Sequence, residues 1–200
     1  MINFVKKLHS VNKEETNKKQ EKEELKIKQL LIQLNTGDTD QQIKALKSLQ
    51  VHGKPKIIEA LVRKLDADID EKVEKEIIEF LSSIKDTGVI PHMMKIINKN
   101  EYPKQRQKLL NTLWNTKVDY SEHLQDFVNI AVNGDFMDAL EAITIIENLE
   151  GPFEEEQILE SQLHLSRYVE EGKTKDEQKA YLISEITLKL QEIEKDLGTY

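Results

Sequence analysis

Leu30, Leu31 and Leu34 place two adjacent apolar residues and a third within one helical turn, and the motif returns at Leu61, Val62 and Leu65, at Met93, Met94 and Ile97, and at Phe127, Val128 and Ala131. The spacing from one motif to the next is 31, 32 and 34 residues. Such a stripe is one face of an α-helix. A second stripe follows each of the first: Ile43, Leu46 and Leu49; Val73, Ile77, Phe80, Leu81 and Ile84; Leu109, Leu110, Leu113 and Trp114; Leu140, Ile143, Ile146 and Leu149. Ile77, Leu110 and Ile143 keep a beat of 33 residues. The chain therefore reads as repeated helix pairs, each too small to bury its own face and dependent on its neighbours.

Turn formers punctuate the stripes. Gly37, Asp38 and Asp40 lie between the first two, and Asp68 and Asp70 between the next, with Asp40 and Asp70 as the expected N-caps. Pro55 and Pro152 fall where helices start, a place that tolerates a missing N–H. Residues 153–171 and 175–197 form a last, longer pair, with Leu182, Ile186, Leu190, Ile193 and Leu197 on one face of its second helix. That pair is expected to cap the array.

The pattern lapses over residues 12–24, which carry no apolar side chain and read as a solvated charged helix or a loose linker. Ahead of them Ile2, Phe4, Val5, Leu8 and Val11 make a short amphipathic segment, expected to dock on the body of the protein, or else on something outside it. The domain reading is thus an N-terminal segment over 1–24 and a repeat domain over 25–200, with 153–197 as its cap.

Composition narrows the function. Only 7 Gly and 4 Pro occur in 200 residues, as few turns require, and there is no Cys for disulfides or thiolate sites. With 29 Lys and Arg against 37 Asp and Glu, a net of −8, and with Arg63, Arg106 and Arg167 as the only arginines, the balance argues against a nucleic-acid partner. No apolar run reaches the roughly 20 residues that span a bilayer, which argues against a membrane partner. Lys6 and Lys7 interrupt the first apolar residues and no small-residue cleavage site follows, so the expected compartment is the cytoplasm. His9, His52, His92, His123 and His164 are never three or four apart, the spacing that puts two ligands on one helical face. No glycine-rich phosphate loop and no Gly-x-Ser-x-Gly elbow occurs. The expectation is a chain with no catalytic residue, no metal and no cofactor.

Charge is unevenly distributed. Residues 119–172 hold fourteen acids and one base, Arg167, a net of −13, whereas residues 92–117 hold six bases against Glu101, a net of +5. The asymmetry reads either as a bipolar surface that orients a partner or as attraction between adjacent repeats. Glu154, Glu155 and Glu156 suit the first turn of a helix, with a cation or basic-partner site as the second reading. Trp114 matches Leu81 in the preceding repeat and is expected first in the core, second as an anchor at a partner's rim.

The run Lys56 to Val73 joins an apolar helix, an Asp-bearing turn and a second helix opening on a β-branched residue, and Val89 to Ile97 repeats its first half with Pro91 near the start. Both resemble the HEAT repeat family of armadillo-type α-solenoids. The resemblance covers residues 25–150 well and 153–197 by helix length and alternation. It implies an all-α fold, a right-handed α-α superhelix of about five antiparallel helix pairs, and a non-catalytic scaffold that binds another protein along the surface of its stacked second helices. On that surface Lys104, Lys108 and Asn111 would form a basic end, and Asp138 and Glu141 an adjoining acidic end at a solvated rim. No histidine is followed by Glu, so the paired His-Glu steps of the iron-binding HEAT hydroxylases are absent. The alternative reading is a HEAT-like nucleic-acid-binding protein or DNA glycosylase-type enzyme that uses the basic 92–117 stretch.

Overall fold

A computed structural model describes residues 2–52, 55–65, 68–99, 102–116, 118–172 and 176–197, with side chains from Thr16 onward, Lys56 excepted. Among these residues there are ten α-helices and no strand: α1 Ile2–Thr36, α2 Thr39–His52, α3 Ile58–Leu65, α4 Glu71–Ser82, α5 Ile90–Lys99, α6 Pro103–Asn115, α7 Leu124–Asn133, α8 Phe136–Glu147, α9 Glu155–Glu170 and α10 Glu177–Leu197. The fold is all-α, with helices packed in pairs as in a HEAT-like solenoid. The chain divides into two compact units, Met1–Phe80 and Leu81–Tyr200.

In the first unit α1 lies along α2. It is continuous through residue 24, where composition alone marks the end of the charged segment. Residues 16–22 of it are exposed, while Leu34 is buried, as are Ala45, Leu46 and Leu49 of α2. The docking expected of Ile2, Phe4, Val5, Leu8 and Val11 concerns side chains outside the described residues. The cap of α2 is Asp38, two residues before the expected Asp40. Asp38 accepts from the Gln41 N–H (2.9 Å) and the Gln41 side chain accepts in return from the Asp38 N–H (3.2 Å), which leaves Asp40 within the first turn. Asp70 caps α4 as expected, accepting from the Lys72 N–H at 2.9 Å. Ile58, Leu61, Val62 and Leu65 of α3 and Val73, Ile77 and Phe80 of α4 are buried, as their stripes predict.

In the second unit, first helices and second helices segregate. α7 packs on α9, while α8 packs on both α6 and α10; α7 with α8 and α9 with α10 close the pairs. This two-layer arrangement lets each repeat cover its neighbour. Reciprocal caps fix two of the helix starts: Asp135 with Asp138 at α8, and Glu154 with Gln157 at α9. The terminal pair is fastened by Lys179 of α10, only 8% exposed, whose ammonium donates to the carbonyls of Val132 (2.9 Å) and Gly134 (2.7 Å) at the end of α7. It also lies 5.3 Å from the centre of the Tyr168 ring.

Candidate functional site

Lys104, Lys108 and Asn111 share α6, with Lys104 exposed and the other two half-buried. Asp138 and Glu141 on α8 are not at a solvated rim: they are 6% and 9% exposed. Arg106 holds Asp138 with both ends of its guanidinium, Nε lying 3.2 Å from Oδ1 and Nη2 paired with Oδ2. Asn111 reaches both oxygens of Glu141 at 3.3 Å. Side-by-side packing of α6 and α8 brings residues about one repeat apart face to face, so these carboxylates meet α6 rather than water. The sequence signal that could have found the Arg106–Asp138 pair is opposite charge at a separation of 32 residues, the repeat length itself.

The burial of that pair also removes Arg106 from the basic stretch as a free cation, while Lys117 lies outside the described residues. Asp126 is similarly engaged, by Asn98 from α5 (2.9 Å) and by His123 (2.7 Å). His52 meets Lys26 across the α1–α2 contact at 2.9 Å. The His164 imidazole titrates below its ordinary range, first because burial disfavours its charged form and second because Arg167 is near; Glu160 and Asp126 pull the other way. Among the described residues no three His, Cys, Asp or Glu side chains could share a metal ion.

Trp114 is not a core residue. It is 42% exposed, whereas its repeat-mate Leu81 is fully buried. The buried arc of α6 includes Thr112, 0% exposed, and has turned away from position 114. Trp114 lines a cleft of about 380 Å³ where the C-terminal ends of α6 and α8 meet, together with Thr116, Tyr120, Asn148, Leu149 and Glu150. Tyr120 is 2% exposed, its hydroxyl has no hydrogen-bond partner among the described residues, and burial pushes its pKa up to about 12. Its ring stands edge-on to Phe127, with centroids 6.4 Å apart.

Asp119 lines this cleft and also a second one of about 590 Å³, whose other charged walls are Glu122, Glu154, Glu156 and Glu160. Among the described residues no Lys or Arg lines either cleft. The wall around Asp119 is held by side chains: Asp119 accepts from the Ser121 hydroxyl (2.6 Å), which accepts from the Gly151 N–H (2.9 Å), and Gln157 donates to the Ser121 carbonyl (3.0 Å).

A two-layer stack of helix pairs, with side chains linking equivalent positions of successive second helices, defines an α-helical repeat protein. Residues 27–114 match the family of HEAT repeats, and the chain carries HEAT repeats over that span. Such repeats are typically protein–protein interaction scaffolds and usually non-catalytic. No curated protein and no solved structure matches the chain at a significant level. No described helix is long and apolar enough to cross a membrane.

Proposed function

We propose that this protein is a cytoplasmic, non-catalytic scaffold that binds another protein along the surface of its second helices. The observation that carries the reading is the HEAT-repeat match over residues 27–114. The side-by-side packing of α6, α8 and α10 supports it, since stacked second helices offer one extended surface. Lys104 stands exposed on that surface, with Lys108 and Asn111 along the same helix as its basic end. Asp138 and Glu141 act beneath it, setting the spacing of α6 and α8 through Arg106 and Asn111.

A photo-crosslinking residue placed at Lys104 of the full chain, in cells, tests the reading. Discrete protein adducts are expected. Adducts to nucleic acid alone, or none, would overturn it. With the captured partner in hand, Lys104→Glu combined with Lys108→Glu should slow association and flatten its salt dependence at unchanged helix content, because rim charges act chiefly on encounter.

A further inference from the structure

We infer that the two clefts sharing Asp119 form one docking groove for an arginine- or lysine-bearing peptide segment of the partner, with Trp114 as the aromatic face for its cationic side chain. The inference rests on the scaffold reading and names the chemistry of what the scaffold holds.

Three features point to a cation and a fourth to a peptide backbone. Six carboxylates, Asp119, Glu122, Glu150, Glu154, Glu156 and Glu160, line the two clefts, and no described Lys or Arg answers them there. Adjacent α6, by contrast, has its Arg106 paired with an acid. The C-terminal ends of α6 and α8 both open on the smaller cleft at Thr116 and Asn148, and helix C-termini carry partial negative charge. The flat indole of Trp114 is exposed at that spot, where a guanidinium can stack on it and lie against Asp119 or Glu150. Finally, Tyr120 lines the same cleft while almost wholly buried, and its hydroxyl has no hydrogen-bond partner among the described residues. A buried polar group of this kind is stabilised by a ligand that supplies its missing hydrogen bond, as a peptide backbone can.

An extended peptide fits better than a free small cation. The clefts hold about 380 and 590 Å³ and are separated by the Asp119–Ser121 turn, so one occupant must pass over that turn to use both. Its cationic side chains would be spaced along a backbone, with an apolar neighbour against Leu149 and the indole edge.

The test uses the full chain and a fluorescein-labelled twelve-residue peptide carrying four arginines separated by Ser, Gly and Leu, with a twin in which citrulline replaces each arginine. Trp114 is the only tryptophan, so its emission reports contact directly. The arginine peptide should quench or shift that emission, and the citrulline twin should bind at least tenfold more weakly by anisotropy. Trp114→Ala should weaken the arginine peptide about threefold to thirtyfold, the range a cation–π contact spans. The triple variant Glu150→Gln, Glu156→Gln, Glu160→Gln should weaken it tenfold or more and reduce its salt dependence. Tyr120→Phe should lower affinity while leaving thermal stability unchanged or higher, a combination that a purely structural role would not give. Equal binding of the two peptides, binding of spermine as tight as that of the arginine peptide, or unchanged affinity in both the Trp114 and the triple variants would overturn the inference. If the peptide fails while crosslinks at Lys104 still capture a protein, the groove assignment falls and the scaffold reading stands.

Discussion

Gln157, in the first turn of α9, donates its side-chain amide to the carbonyl of Ser121, 36 residues earlier, and with its own oxygen accepts from the Glu154 N–H at 2.7 Å. One buried amide thus closes a helix start and joins it to the turn before α7. Gln157→Leu leaves the Ser121 carbonyl without this donor and the Glu154 N–H without this acceptor. The expected loss is about 2 kcal/mol, read as a lower denaturant midpoint at unchanged slope.

Arg106 and Asp138 form a partly buried charge pair, with side chains 16% and 8% exposed. Arg106→Met strands the carboxylate and should cost about 3 kcal/mol. Asp138→Asn in the same chain keeps a capping side chain while removing the stranded charge, so the double variant should recover much of that loss. A double-mutant cycle by chemical denaturation measures the coupling.

Tyr120 sets an alkaline limit. Burial raises its folded pKa to about 12 from the ordinary tyrosine value near 10, so above pH 10 the unfolded chain releases this proton first and the folded state loses ground as pH rises toward 12. The contribution of this one group is about 2 kcal/mol near pH 12. Tyr120→Phe should flatten the stability profile between pH 10 and 12, measured by denaturation across that range.

Gly134 joins α7 to α8, and a Cβ there would collide with the side chain of Asp138, its Cγ only 2.7 Å away. Its backbone angle, φ −82°, suits any residue, so the demand is for space and not for conformational freedom. Gly134→Ala should cost about 1–3 kcal/mol by displacing Asp138 from Arg106. Pairing it with Arg106→Met should give less than the sum of the two single losses.

The helix pairs were legible because apolar stripes at a steady beat of about 33 residues have one physical solution, a stack of amphipathic helices. Asp70 was legible as a cap for the same local reason. Asp38 was missed in favour of Asp40 because two aspartates flank one helix start, and the choice falls to the reciprocal bond with Gln41. Trp114 was misplaced because the stripe of α6 rolls between repeats: Thr112 is buried although it looks polar, and the indole is turned outward. The interior positions of Asp138 and Glu141 were invisible because carboxylates ordinarily face water. Their partners, Arg106 and Asn111, are local to nothing but the packing of α6 on α8. The two clefts form around turns that include Thr116, residues 118–121 and residues 148–154, where no periodic pattern speaks.

The reach of Lys179 has a consequence for the order in which the chain matures. The carbonyls that end α7 receive their ammonium from a residue 47 positions later in the chain than Val132. At a synthesis rate of about 5–20 residues per second, that delay lasts roughly 2–9 s. Throughout it α7 exists with its last turn open and with the faces that α9 and α10 will cover still bare. The second unit therefore reaches its finished state only once α10 has been made and can pack on α8 and α9.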